Sequence, residues 1–92
     1  MSHKDIIKTA DVSVRIMELE NNVSTDWHYH TEVRDYFVCL NGVIKVEKLN
    51  PVECIILQPG QTTEVIPHRV HRVVNICDDK SEYLFSSGCW SV

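Results

Sequence analysis

Apolar and polar residues alternate in short runs along this chain, and helical periodicity is almost absent. β-Branched runs recur at spacings of about ten residues, the pattern of an all-β sandwich or barrel. They predict strands near residues 12–18, 23–30, 35–40, 43–49, 53–57, 62–66, 70–76 and 82–87. Turn-forming pairs fall between them: Asn21-Asn22, Asn41-Gly42, Asn50-Pro51, Pro59-Gly60, Pro67-His68 and Asp78-Asp79. No repeat, linker or low-complexity tract breaks the series, so residues 1–92 are expected to close on one core as a single domain.

Asn41-Gly42 is a strong hairpin signal. A two-residue turn there pairs Cys39 with Ile44, Phe37 with Val46 and Asp35 with Lys48, and cross-strand partners share a face. One face then carries Asp35, Phe37, Cys39, Ile44 and Val46, while the other carries Tyr36, Val38, Lys45 and Glu47. The charges send the second face to water, so Asp35 points inward at the rim of an apolar lining. The same parity applied to 70–75 sends Arg72 outward and places His71, Val73 and Asn75 inside. An inward imidazole and an inward amide must both find partners.

His28 and His30 are two apart, so on an extended strand their rings share a face. Together with Asp35 and His71 they supply three imidazoles and a carboxylate. That set suits one divalent transition metal (iron, manganese, nickel, zinc or copper), with one or two positions left for water, substrate or dioxygen. A closed structural zinc site would be richer in thiolates, and no cysteine here has that spacing. The competing reading pairs Asp35 with Lys48 and leaves His28 and His30 at a solvated hairpin end. Three histidines converging by accident is the harder assumption, because buried polar groups without partners are costly. Glu32, in the bend between strands, is a rival to Asp35. His3 lies near a terminus expected to be loose, and His68 and Arg69 read as exposed turn residues rather than an anion clamp. Neutral histidine ligands would release their metal as pH falls through about 6.

Net charge is −4, with nine basic and thirteen acidic residues in no long block, which argues against a nucleic-acid partner. No apolar run approaches membrane-spanning length and the first residues lead into no signal-peptide core, so a cytoplasmic protein without a membrane partner is expected. Cys39, Cys54, Cys77 and Cys89 form no C-x-x-C pair. They read as reduced thiols, with Cys39 and Cys54 acting as small buried hydrophobes. A short all-β chain has edge strands to cover, so a homodimer is expected, with Trp27, Tyr83 and Trp90 as a candidate aromatic patch.

Two stretches resemble the signature motifs of the cupin superfamily, as small single-domain members of conserved-barrel type carry them. The first family motif is a glycine, five residues, His-x-His, three or four residues, an acid (usually Glu), six residues and a glycine. His28-Tyr29-His30, Asp35 and Gly42 fit it over about residues 22–42, with Asn22 where the leading glycine would be and Asp for Glu. The second motif, over about residues 57–75, opens at Leu57-Gln58-Pro59-Gly60 and closes with Pro67, His71 and Asn75, His68 replacing the usual glycine. The resemblance spans about residues 22–87. It implies a double-stranded β-helix (jelly-roll) barrel with His28, His30, Asp35 and His71 as ligands on its inner wall. Asp35 would bind directly, through water or not at all, and Asn75 would support the site or the fold rather than ligate.

A metal beside an apolar pocket lined by Phe37, Ile44, Val46 and Leu57 could hold a small organic substrate. The expected function is therefore a metalloenzyme; dioxygenase-like, isomerase and decarboxylase chemistries all fit, because this barrel hosts many reactions. Tyr29, Tyr36, Glu32 and Cys39 are candidate general bases. The alternatives are a module that binds a small ligand or metal without turnover, and a metal-stabilised dimer with no small-molecule partner.

Overall fold

The computed structural model describes residues 2–8, 12–31 and 33–88. Strands β1 (Ser2–Lys8), β2 (Val12–Leu19), β3 (Arg34–Asn41) and β4 (Ile44–Lys48) are followed by β5 (Glu53–Leu57), β6 (Thr62–Val65), β7 (His71–Asn75) and β8 (Ser81–Gly88). They form two antiparallel sheets, one in the order β1-β2-β8-β3-β6 and one in the order β5-β4-β7. Among the described residues there is no helix, hence none long and apolar enough to cross a membrane.

The period-two alternation builds the core. Asp35, Phe37 and Cys39 of β3, Ile44 and Val46 of β4, and His71, Val73 and Asn75 of β7 are all buried. Leu19, Leu57, Val65 and Tyr83 complete the buried cluster. The inner face of the larger sheet is organised in rows by the strand register. Ser13, Ser87 and Asp35 form the first row, Arg15, Phe85 and Phe37 the second, and Met17, Tyr83 and Cys39 the third. Leu19 and Ser81 lie at the far end. In the smaller sheet His71, Val73 and Asn75 run in the same sense, opposite Lys48, Val46 and Ile44.

Several expectations are corrected. The hairpin at Asn41-Gly42 does not form: β3 pairs with β6 and β8, whereas β4 pairs with β5 and β7. The two residues turn the chain from one sheet to the other. Gly42 has φ +78°, and a Cβ there would sit 2.1 Å from Ser81 Oγ. The inward assignment of Asp35, Phe37, Cys39, Ile44 and Val46 survives, because parity within a strand does not depend on which strand is its partner. Lys48 accordingly does not pair with Asp35; its Nζ donates to the Glu64 carbonyl at 2.9 Å.

Residues 23–30 are an extended segment along β7 rather than a strand, tied by single bridges at Ser24–Val74 and His28–His71. Between them Val73 N–H donates to the Thr25 hydroxyl at 3.0 Å, a side chain standing in for a backbone acceptor and interrupting the ladder. A further edge strand, β1, precedes the expected series and places His3 in a sheet. Residues 3–8 are exposed, so no buried face imposes an alternating pattern. Cys39, Cys54 and Cys77 are free thiols; Cys39 is buried, but Cys54 is exposed because Ile55 and Leu57 take the inner face of β5. Tyr83 is 2% exposed and so cannot serve in an aromatic surface patch. Trp27 is exposed beneath the Arg72 guanidinium. Cys89, Trp90 and Glu32 lie outside the described residues.

Candidate metal centre and cavity

Each histidine is presented by a different local device. The bridge to β7 fixes His28 through reciprocal backbone bonds, His28 N–H to the His71 carbonyl at 3.0 Å and His71 N–H to the His28 carbonyl at 2.9 Å. Two residues on, the His30 carbonyl accepts the His68 N–H at 2.5 Å, which pins the end of the segment to the Pro67-His68 turn. His71 and Asp35 come from strand positions whose parity aims them inward, and both are 1% exposed.

These side chains converge. Ligand atoms of His28, His30 and Asp35 all lie within 4.8 Å of one another. His71 joins them through Asp35: its Nε2 is 2.9 Å from Asp35 Oδ2, and His30 Nε2 is 3.3 Å from the same oxygen. The His71 and His28 ring centres are 4.2 Å apart. Of the competing reading, the pairing of Asp35 with Lys48 is absent, while His28 and His30 stay partly exposed at this end.

Backbone carbonyls set the ring tautomers. His71 Nδ1 lies 2.7 Å from the Arg69 carbonyl and His28 Nδ1 lies 2.9 Å from the Asp26 carbonyl. A carbonyl can only accept, so each Nδ1 carries its hydrogen, and in the neutral ring Nε2 is left with a lone pair. Burial pushes the His28 imidazole below its ordinary value, with His71 and His30 acting in the same direction against the Asp26 carbonyl and Asp35. That favours the neutral, ligating form. In a neutral His71 ring the same tautomer would turn a lone pair toward a carboxylate oxygen at hydrogen-bond distance. The other oxygen, Asp35 Oδ1, is buried without any hydrogen-bond partner. His28, His30 and Asp35 fit a divalent cation, which would give the buried carboxylate a partner; His71 lies outside that three-residue group and reaches it through Asp35.

Next to this cluster lies a cavity of about 380 Å³, at the small end of the ~300–1,000 Å³ usual for small-molecule pockets. His28, His30, Thr25, Asp26 and Val73 line one side. The inward rows of β2, β8 and β3 line the other, with Phe37 at its centre, 5.3 Å from the Phe85 ring and 5.9 Å from Tyr83. Of the pocket residues expected from sequence, only Phe37 is on this lining. Ile44, Val46 and Leu57 are 0%, 0% and 2% exposed in the packed core instead. Parity separates inside from outside but does not say which end of a barrel stays open.

The candidate bases fare similarly. Tyr29 is exposed, Tyr36 faces away from the Asp35–Phe37 side, and the Cys39 thiol is held among the carbonyls of Asn41 and Gly42, its titration pushed up by burial. Tyr83 does reach the cavity, but burial raises its phenol far above the usual range, so it remains a proton donor. Asn75 holds the fold, not the site. Its Nδ2 donates to the carbonyls of Leu19, Glu20 and Asp79, and its Oδ1 accepts from Cys77 N–H and Ser81 Oγ.

No known family model and no curated protein matches the sequence. Solved structures do resemble the fold. KdgF from a Halomonas species superposes with TM-score 0.82 at 19% identity, over 97% of this chain and 78% of that one. A cupin superfamily protein from Desulfitobacterium hafniense gives 0.83 at 13% identity, over 95% and 75%. This chain has the cupin fold. A recombinant oxalate oxidase in complex with glycolate also shares it, at TM-score 0.82 and 13% identity, over 95% of this chain and 50% of that one. The two motif glycines this chain lacks are explained by its backbone: Asn22 and His68 adopt φ +61° and +67°, the left-handed region glycine enters without strain.

Proposed function

We propose that this cupin is a metal-dependent enzyme acting on a small organic molecule held in the cavity beside His28, His30, Asp35 and His71. The observation that carries the reading is the His71 Nε2–Asp35 Oδ2 contact with Asp35 Oδ1 left orphaned, a buried arrangement that calls for a cation. A bound iron, manganese, nickel, zinc or copper ion would supply Lewis-acid polarisation and, for the redox metals, electron transfer. The protein's own contribution is positional. Asp26 and Arg69 carbonyls orient two imidazoles, while Phe37, Phe85 and Val73 keep water from the substrate's body. The oxalate oxidase of the same fold supports the idea that such a barrel can host oxidation of a small molecule.

Elemental analysis of protein purified without chelator or affinity-column metal tests this. We expect about one equivalent of a single transition metal, lost in His28→Ala and in His71→Ala. Oxygen uptake or product formation with small diketones, phenols, thiols and acids then separates an enzyme from a non-catalytic binding module. Protein that takes up none of the five ions overturns the reading.

A further inference from the structure

The geometry points to a carboxylate-binding subsite at Arg15, which makes the small ligand of this cavity an organic acid. The inference deepens the proposed function and rests on it for its biological sense, but its test does not require a metal.

Strand β2 runs against the usual rule for a barrel wall. Val14 and Ile16 take the outward positions, and Ser13, Arg15 and Met17 line the cavity. A local pattern opposed to the global one marks a functional position more often than a structural one. The guanidinium carbon of Arg15 is 5.8 Å from the centre of the Phe85 ring, and Nη2 donates to Ser13 Oγ at 3.3 Å. Nε is buried with no hydrogen-bond partner. The nearest acid is Asp5 on exposed β1, its Oδ1 3.7 Å from Nε, too long for a hydrogen bond. Arg15 lines the cavity with only a loose ion pair to Asp5, and a guanidinium there is suited to a planar acceptor that takes two parallel bonds, which is what a carboxylate offers.

The surroundings favour the same ligand. Ser13 and Ser87 are cross-strand partners in the next row and add hydroxyl donors beside the guanidinium. Arg15 lies two strands and one row from Asp35, about 12 Å between Cα atoms at ordinary sheet spacings. An acid held at Arg15 would thus lay its apolar body over Phe37 and Phe85 and present its far end to the histidines.

The test titrates 3-phenylpropanoate and its uncharged counterpart 3-phenylpropanamide into metal-free and metal-loaded protein, following amide chemical shifts. We expect the acid to bind at least ~10-fold more tightly than the amide, with the preference lost in Arg15→Gln. Asp5→Asn, which removes the competing carboxylate, should raise acid affinity about two- to threefold. Equal affinities, no binding of the acid, or a preference that persists in folded Arg15→Gln would overturn the subsite. Should Arg15→Gln fail to fold, the acid–amide ratio and Asp5→Asn decide. A preference seen without metal stands even if no ion is taken up, and metal uptake without a preference sinks only the subsite.

Discussion

The two ends of this barrel treat buried polar groups in opposite ways. At the far end Asn75 satisfies three carbonyls and accepts from Cys77 and Ser81, and Ser81 Oγ in turn accepts from Val43 N–H. Every polar atom of that network is matched, which ties β2, β7, β8 and the Gly42 corner together. At the other end Asp35 faces two imidazoles with one oxygen unmatched, and Arg15 keeps an unmatched Nε. A buried donor or acceptor left without a partner costs about 1–3 kcal/mol. The first end is built to hold the fold, and the second leaves polar groups that a bound ion or ligand would complete.

The largest effect should come from disturbing the matched end. Gly42→Ala puts a methyl at 2.1 Å from Ser81 Oγ on a backbone with φ +78°. We expect a loss of about 3–5 kcal/mol in denaturant unfolding. Asn75→Ala, which strands several buried groups, should cost about 2–4 kcal/mol. Folded molecules of Asn75→Ala should still bind metal as the wild type does. Loss of metal affinity in proportion to stability would show that the two ends are not separable.

At the unmatched end the same kind of change should behave differently. In Asp35→Asn the amide can donate to His71 Nε2, replacing facing acceptors by a hydrogen bond. Metal-free Asp35→Asn should therefore be within about 1 kcal/mol of wild type, or more stable, while metal affinity falls by at least ~10-fold. If His71 and Asp35 were simply a buried ion pair, removing one charge would instead cost about 3–5 kcal/mol. Paired unfolding curves with and without metal distinguish the two.

This division also explains what the sequence disclosed. Where strands bury one face, alternation alone placed Asp35, Phe37, Ile44, Val46, His71 and Asn75 inward, and the His28-Tyr29-His30 spacing with Asp35 pointed to the centre they form. Strand partnership was not legible, because Asn41-Gly42 suits a tight hairpin as well as a corner, and the long-range pairing with β8 leaves no local trace. Arg15 was invisible for a sharper reason. In Val12-Ser13-Val14-Arg15-Ile16 parity sends the charged side to water, and only an interior with a cavity reverses that. β1 carried no signal because residues 3–8 bury nothing.

The smallest effect concerns the turn beside the open end. His68 is exposed at φ +67° and its N–H holds the His30 carbonyl. An L-residue in that region carries about 1–2 kcal/mol of strain. Glycine would remove it but return up to about 1 kcal/mol through unfolded-state freedom. His68→Gly should thus stabilise by under about 1 kcal/mol, a rise of a few degrees in melting temperature. Asn22→Gly, at φ +61°, should change little, because asparagine tolerates the left-handed region better than histidine. Metal affinity should be unchanged in both, since the backbone bond to His30 remains. A destabilised His68→Gly with weakened metal binding would instead mean that the imidazole of His68 takes part in the open end, and the site would then extend beyond three histidines.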